Sequence, residues 1–395
     1  MLKNRFLTIF VCVFVAVVLV FGGVLGIIVA VRNANAVVSY GRVKVDEGAL
    51  RYLSASYKVS YMRALRSNGI TVSDTESFWN STDASGKTMG ELYNESFEEY
   101  IRSLVSACNI FMSQSSYTAE DKERVKATVD EVLKYKAEGS KEKFNEITEA
   151  YGFDYDDFCS AAELLYKADR AKTIVYGEEG KNLANFPNEC EKYLKTYTHV
   201  SLIFVRDKEI FVLDEEGNYV YDENGNVKTR EMTEEEKAER QGVIDNLTAA
   251  IEARKNGGDG QITPEMFEIY LEKSNGDSSM HKKGYYFNKN ASATDEFSSA
   301  FPEVVERAFE MELYDYAKVD CSIGVCFIYK YDVTEGAYDD SENLFFSDFY
   351  SDAANFLYTE VLETYSPEVK VKDAFYETDY SSIPLLSKFI IAEWK

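Results

Sequence analysis

The first feature along the chain is an unbroken run of uncharged, mostly apolar residues from Phe6 to Val31. At about 1.5 Å per residue, a helix of this length can cross a hydrocarbon core of about 30 Å. Lys3 and Arg5 precede the run, and positive residues resist translocation. The pattern therefore predicts a single membrane-spanning helix, with a short N-terminus inside the cell and the bulk of the chain outside the cytoplasm.

A cleaved signal peptide is the alternative interpretation of the same segment. Ala34-Asn35-Ala36 fits the small-x-small pattern of a cleavage site, but the apolar part of a signal peptide has only about 7–15 residues. The length of the run favours an uncleaved anchor over residues 1–36. Cleavage after Ala36 stays open, and under both interpretations the rest of the chain is exported across the cell membrane.

The segment after the anchor shows the periodicity of α-helices. From residue 46 to residue 176, apolar side chains recur at steps of three and four residues, as in helices with one buried face. Predicted helix starts are Asp46, the capping boxes Thr88 with Glu91 and Thr118 with Asp121, and Ser140, Tyr155 and Pro187. Together with a short extended piece at Val37–Val45, residues 37–195 are predicted to form the N-terminal part of a helical domain.

The pattern changes near residue 196. Residues 196–335 have the order strand, two helices, strand, helix and two strands, which is typical of an α+β domain with a small antiparallel sheet. The predicted strands are His199–Arg206, Gly284–Phe287, Tyr316–Cys321 and Gly324–Tyr331, and the predicted helices are Thr233–Arg254, Pro264–Ser274 and Glu296–Met311. Residues 207–230 contain two glycine turns and are interpreted as an inserted hairpin.

Residues 336–395 return to a helical pattern with aromatic side chains, among them Phe345, Phe349 and Phe356. We expect this C-terminal segment to pack on the first helical segment. The α+β domain would then be an insertion between two parts of one helical domain. The predicted fold class is therefore α+β, with an N-terminal membrane helix.

Composition limits the classes of function. Hydrophobic residues make up 45% of the chain and aromatic residues 14%, so the exported part can build substantial cores. A net charge of −25 repels phosphate backbones, which argues against nucleic-acid binding. Two histidines, and scattered cysteines without a CxxC motif, give no support to a metal site, and no cofactor is expected. Cys321 and Cys326 could pair with each other or pack as free thiols.

Several short motifs resemble the extracytoplasmic foldases of the PrsA and SurA kind, in which a parvulin domain is set into a helical chaperone domain. The motifs are Val38–Asp46, similar to V-N-G-x-x-I-T of the helical domain; Val200–Val205, similar to V-S-H-I-L-V; Phe267–Asp277, similar to F-A-E-L-A-K-E-Y-S-x-D; Lys283–Phe287, similar to G-G-D-L-G-Y-F; Val304–Met311, similar to F-E-E-A-A-F-A-L; and Gly324–Lys330, similar to G-Y-H-I-I-K. Their order along the chain is the order found in the family. The resemblance implies a parvulin-like domain over residues 196–335.

The resemblance also implies a site. Parvulins are thought to use a central cysteine or aspartate, two histidines hydrogen-bonded beneath it, and an apolar pocket for the proline ring. Asp277 matches the central acidic position, although it could equally be a turn residue. Leu202 and Cys326 stand at the two histidine positions, and neither can supply the hydrogen bonds of an imidazole. The positions that the resemblance assigns to substrate binding are Phe287, Val304, Phe309 and Met311.

Neither histidine of the chain restores the missing pair. His199 lies three residues before Leu202 on the same predicted strand, so the two side chains point to opposite faces of the sheet. His281 falls in a stretch that departs from the family's glycine motif, and we interpret it as a loop residue.

These observations favour a membrane-anchored foldase or chaperone that binds unfolded exported polypeptides, with a parvulin-like domain of weak or lost isomerase activity. An active peptidyl-prolyl isomerase is the first alternative. A non-enzymatic scaffold of the cell envelope with one dedicated partner is the second. Accelerated refolding of a proline-limited substrate would favour the first alternative, and co-purification of one stoichiometric partner would favour the second.

Overall fold

In the computed structural model, the described residues are 36–216, 218–272, 274, 284–290, 296–340, 343–386, 388–391 and 393–394. They form two compact units. The first unit contains the described residues up to 178 and those from 358 onward, and the second contains residues within 179–357. The predicted anchor lies outside the described residues. Within the described ranges, none of the helices combines the length and the apolar character that crossing a bilayer requires.

Helices and strands are numbered along the described part of the chain. The helices are α1 (Glu47–Ser67), α2 (Glu76–Trp79), α3 (Met89–Gln114), α4 (Ala119–Ala137), α5 (Lys141–Thr148), α6 (Tyr155–Tyr176), α7 (Pro187–Leu194), α8 (Glu234–Asn256), α9 (Pro264–Leu271), α10 (Glu296–Ala300), α11 (Pro302–Glu310), α12 (Phe349–Tyr365) and α13 (Asp373–Tyr376). The strands are β1 (Val38–Tyr40), β2 (Val43–Val45), β3 (Thr198–Arg206), β4 (Glu209–Phe211), β5 (Thr229–Glu231), β6 (Tyr285–Phe287), β7 (Tyr316–Cys321), β8 (Gly324–Tyr331) and β9 (Lys370–Val371). The predicted α+β class with small antiparallel sheets is confirmed.

The capping residues predicted from the sequence begin the helices. The side chain of Asp46 accepts a hydrogen bond from the backbone N–H of Ala49 at 3.0 Å. Thr88 and Glu91 form a reciprocal capping box at the start of α3, and boxes of the same kind open α4 and α8. Each cap satisfies N–H groups that the first helical turn leaves unpaired. The local sequence therefore determines where these helices begin.

The first unit has an aromatic core that both of its chain segments share. Tyr52 of α1 and Tyr93 and Phe97 of α3 are fully buried. The ring of Phe97 lies 4.8 Å from the ring of Tyr380, between centroids, and the Tyr52 hydroxyl donates to the backbone carbonyl of Phe389 at 2.9 Å. The C-terminal segment therefore packs on the first helical segment from residue 358 onward.

A three-stranded antiparallel sheet joins the two segments of the first unit. Its strand order is β2-β1-β9, and Val38 pairs with Val45 on one side and with Val371 on the other. The sequence predicted a single extended piece at Val37–Val45. The structure has a hairpin there, because Gly41 takes a positive φ of 54° and turns the chain between β1 and β2.

A four-stranded antiparallel sheet with the order β6-β3-β8-β7 organises the second unit. The side chains of β3 alternate between its two faces. Leu202 and Phe204 pack with α11 on one face, whereas Ile203 and Val205 pack with α8 and α9 on the other. Both faces of β3 are therefore covered, which explains its nearly continuous burial.

The unit boundaries differ from those expected at residues 195 and 335. Residues 179–195 and 336–357 belong to the second unit. Aromatic contacts bring the two stretches together, because Tyr193 of α7 lies against Phe349 and Phe356 of α12, with ring centroids 5.3 Å apart in both pairs. The division between the units consequently falls inside α12.

The helix predicted at Glu296–Met311 is in fact two helices, α10 and α11. Phe301 separates them, with φ −134° and ψ 58°, and Pro302 is the first residue of α11. Proline lacks a backbone N–H and disfavours helical geometry in the residue before it. The prediction of one continuous helix was therefore wrong at this point.

The inserted segment at residues 207–230 has three extended pieces. β4 pairs with β5, and further bridges join Leu213 to Tyr219 and Tyr221 to Val227. At the second turn, the Asp222 carboxylate accepts two backbone N–H bonds. A simple hairpin has two extended pieces, so the predicted turns are present but the segment is more folded than a hairpin.

Candidate functional site

The two positions that the resemblance assigns to histidines lie on one face of the second unit's sheet. Leu202 of β3 is paired with Ile328 of β8, and Cys326 of β8 is paired with Phe204 of β3. Both side chains belong to the cluster that packs against α11, and they are 2% and 0% exposed. Burial raises the pKa of the Cys326 thiol well above its usual range. An uncharged thiol beside leucine offers neither a base nor a nucleophile.

The positions assigned to substrate binding are in the same cluster. Phe287, Val304 and Met311 are buried, and Phe309 is half-buried and packs against them. Among the described residues, this face is a closed core around Leu202 rather than an open groove. Asp277 and His281 lie outside the described residues. The structure therefore brings Leu202 and Cys326 together with the positions assigned to substrate binding, and the role of each stays a prediction.

His199 has a different environment. Its ring stacks on Tyr286 of β6 at 4.1 Å between centroids, and its Nδ1 lies 3.1 Å from the backbone carbonyl oxygen of Asp332. It is absent from the cluster that contains Leu202 and Cys326, as the alternation along the strand predicts. The imidazole of His199 therefore stacks on Tyr286 and contacts the Asp332 carbonyl, away from that cluster.

A cleft of about 680 Å³ lies where β3 begins and where β8 and α11 end. Its walls combine aromatic, apolar and charged side chains. The lining residues are Asn188, Glu191, Leu194, Lys195, Thr196, Tyr197, Thr198, His199, Phe309, Leu313, Lys330, Tyr331, Asp332, Val333 and Glu335. Sequence reasoning named Phe309 but missed the cleft, because its walls come from three separate stretches of the chain.

One wall of the cleft is held in place by Lys330. Its ammonium donates hydrogen bonds to the carbonyl oxygens of Met311, at 2.7 Å, and of Phe309, at 3.4 Å. These carbonyls end α11, where a positive charge is favoured by the helix dipole. Burial lowers the pKa of Lys330, and the carboxylate of Glu312 acts in the opposite direction. The lysine therefore fixes the end of α11 at the edge of the cleft.

The turn between α11 and β7 presents apolar side chains to solvent at the same place. Leu313 is 48% exposed and lines the cleft, and its neighbour Tyr314 is 53% exposed. Tyr314 has a φ of 62°, a left-handed conformation that costs a non-glycine residue about 1–2 kcal/mol. Its N–H donates to the carbonyl of Lys330 at 2.9 Å, and its own carbonyl accepts from Arg254 at 3.2 Å. Strain of this kind is retained where surrounding bonds enforce it, often at functional sites.

We expect Tyr314→Asn to raise the free energy of unfolding of the second unit by about 1 kcal/mol, because asparagine tolerates a left-handed backbone better than tyrosine. The measurement is hydrogen exchange of β3 and β8 peptides in the full chain under native conditions. Tyr221→Asn is the control, since Tyr221 is 57% exposed and is not among the residues of positive φ. Equal protection in the two variants would contradict strain at Tyr314.

No protein-family model matches this chain, and no curated protein matches it. The chain is similar to the solved structure of PrsA from Bacillus subtilis, with 15% identity, coverage of 75% of this chain and 91% of that chain, and a TM-score of 0.20. It is also similar to a peptidylprolyl isomerase (PrsA) from Bacillus cereus, with 16% identity, coverage of 77% and 97%, and a TM-score of 0.23.

A third solved structure, the foldase protein PrsA from Streptococcus pneumoniae, has 13% identity, covers 76% of this chain and 99% of its own, and has a TM-score of 0.19. Identities and TM-scores at this level leave the function of the present chain to be argued from its own residues.

Proposed function

We propose that this chain is a membrane-anchored foldase or chaperone that binds unfolded exported polypeptides outside the cytoplasm. In this proposal the second unit is a parvulin-like domain whose isomerase activity is weak or lost. The order of the chain supports it, because an α+β unit is inserted between two segments of a helical unit. That order is the one implied by the resemblance described for the sequence.

The observation that carries the binding role is the exposed apolar turn beside the cleft. An unfolded polypeptide has no fixed shape, so its partner must offer apolar contact without strict geometric demands. Leu313 and Phe309 supply apolar surface, and Tyr331 adds aromatic surface. Carboxylates and ammonium groups on the same walls can meet polar side chains and backbone groups of many sequences.

The chemistry of the sheet face supports the loss of isomerase activity. Rotation about an X-Pro bond meets a barrier of about 18–20 kcal/mol, which a catalyst lowers by binding the twisted amide more tightly than the planar one. Imidazole groups could hold a central carboxylate for that task. Leu202 and Cys326 cannot, and both lie in an apolar core.

Two assays on the full-length chain in lipid nanodiscs test the proposed function. We expect the chain to suppress aggregation of an unfolded exported protein, and to leave the rate of a proline-limited refolding reaction unchanged. Asp277→Ala is expected to suppress aggregation as well as the unmodified chain does. Refolding that is accelerated by the unmodified chain and not by Asp277→Ala would instead establish the active isomerase. Failure to suppress aggregation would remove the chaperone role.

A further inference from the structure

The outer face of the three-stranded sheet in the first unit carries positive side chains. Ser39 of β1 is paired with Lys44 of β2 and with Lys370 of β9, so the three residues form one row across the sheet. Their neighbours Val38, Val45 and Val371 point to the opposite face, and Val38 and Val45 are buried in the core of the unit. Lys44 and Lys370 are therefore directed outward, and both are exposed.

Two more cations flank this row. Arg42 lies in the β1–β2 turn, and Lys372 directly follows β9, where its N–H donates to the carbonyl of Val37 at 3.0 Å. Both are exposed. We call Arg42, Lys44, Lys370 and Lys372 the cationic face. It is unusual in this protein, whose net charge is −25.

The acidic residues near the cationic face either form contacts with other groups or lie at the ends of the face. Asp46 caps α1 by accepting the N–H of Ala49 at 3.0 Å, and Glu163 pairs with Lys167 at 3.2 Å. Glu368 and Asp373 lie in sequence just before and just after the cationic stretch that includes β9.

Within the described part of the chain, Arg42, Lys44 and Lys370 of the cationic face form no ion pair. Their charge is therefore available to an external anion.

The chain length before the sheet places this face near the membrane. The apolar run ends at Val31, and Val37, which follows six residues later, already donates its N–H to Val45 at 2.8 Å. Six extended residues span at most about 21 Å. A protein with this net charge is repelled as a whole by an anionic surface. A local positive face so close to the anchor would decide which side of the unit turns toward the bilayer.

We propose that the cationic face binds the phosphate headgroups of anionic lipids in the bilayer that holds the anchor. The inference rests on the membrane anchor of the proposed function. Basic residues near an anionic surface are attracted to it over about one Debye length, which is about 8–10 Å at physiological salt. The contact would hold the first unit in one orientation on the membrane surface.

The test uses the full chain in nanodiscs of phosphatidylcholine alone or of an equimolar mixture with phosphatidylglycerol. Lysines are modified with an amine-reactive reagent and the rates are measured by mass spectrometry. We expect Lys44, Lys370 and Lys372 to react about fivefold more slowly in the anionic discs. The protection should disappear in about 1 M salt, where the Debye length is about 3 Å. Lys126 and Lys237, both exposed and remote in sequence from the face, are the internal controls.

A double variant, Lys44→Glu with Lys370→Glu, is expected to abolish the protection of Lys372. Both positions are exposed, so tryptophan fluorescence of the first unit should stay unchanged. The matched control is Lys126→Glu with Lys134→Glu, which should leave Lys372 protected.

If the chain integrates into the discs and the lysines react equally in both lipids, the inference is overturned while the anchor stands. If the chain does not integrate, the anchor fails and the inference fails with it, whereas the aggregation assay, repeated on the chain without discs, still reports the chaperone role.

Discussion

Replacing Lys58 with methionine is expected to lower the free energy of unfolding of the first unit by about 3 kcal/mol. Lys58 is a buried lysine of α1, 1% exposed. Its ammonium donates to the carbonyl oxygens of Ser381 and Ile383, each at 2.7 Å, and pairs with the Asp74 carboxylate at 2.7 Å. One side chain thus connects the helical segment to the C-terminal segment.

The size of this effect follows from what the substitution leaves behind. Methionine fills a similar volume, but it removes the donor from two carbonyl groups and the cation from Asp74. Removing one partner of a buried ion pair costs about 3–5 kcal/mol, and the lower end applies because the Asp74 side chain is 25% exposed. The indole N–H of Trp79 and the backbone N–H of Leu385 still donate to Asp74, at 2.8 and 2.9 Å, which limits the loss further.

The pKa directions agree with this arrangement. Burial lowers the pKa of Lys58, and the Asp74 carboxylate opposes that effect. Burial alone would raise the pKa of Asp74, but hydrogen bonds from Lys58, Trp79 and Leu385 outweigh it and hold the pKa below its usual value. The charged lysine is therefore costly to bury, and its three acceptors offset that cost. Removing the lysine leaves the acceptors without their donor, which is why the expected loss in the free energy of unfolding is large.

Tryptophan fluorescence during equilibrium denaturation of the full chain measures this effect. Both tryptophans, Trp79 and Trp394, belong to the first unit, so the signal reports that unit alone. Lys126→Met is the control, because Lys126 pairs with Asp130 at 3.3 Å in an exposed position and should show no resolvable change. A Lys58→Met variant as stable as this control would show that the buried contacts contribute nothing net.

The local elements of the fold could be predicted because short stretches of sequence determine them. Asp46 and the Thr88–Glu91 box fix helix starts by hydrogen bonds within four residues, and the alternation along β3 fixes which of its side chains share a face. The break before Pro302 was also open to prediction from the sequence, because a proline disfavours helical geometry in the residue before it, but the prediction of one helix over Glu296–Met311 did not include it.

Long-range pairings could not be predicted in the same way. β9 has two residues, and nothing in Lys370–Val371 indicates that it completes a sheet with Val38. The boundary near residue 178 depends on Tyr193 meeting Phe349, which is a tertiary contact between distant segments. For the candidate site, the sequence indicated which residues lie near Leu202, but their degree of burial depends on how α11 covers the sheet. The cleft is a product of that same packing.

The second large effect is expected at the cleft. Leu313→Asp should weaken the binding of an unfolded polypeptide by about tenfold or more. Burying a leucine side chain contributes about 1.5–3 kcal/mol, and Leu313, at 48% exposure, has about half of that left to gain on binding. The new carboxylate adds a desolvation cost when a ligand covers it. The lost burial energy and this desolvation cost add together, and about 1.4 kcal/mol is enough for a tenfold change in affinity.

The binding measurement is fluorescence anisotropy with a labelled unfolded polypeptide of zero net charge, so that general repulsion by the acidic protein does not enter. Ile269→Asp is the matched control, because Ile269 of α9 is in the same unit, is 68% exposed and is not among the cleft's lining residues. Since both residues are exposed, neither substitution should unfold the second unit, which hydrogen exchange of β3 can verify.

A tenfold loss in Leu313→Asp with unchanged affinity in Ile269→Asp would locate client binding at the cleft. Equal losses would mean that clients bind a diffuse apolar surface, and unchanged affinity in both would mean that the cleft does not bind clients.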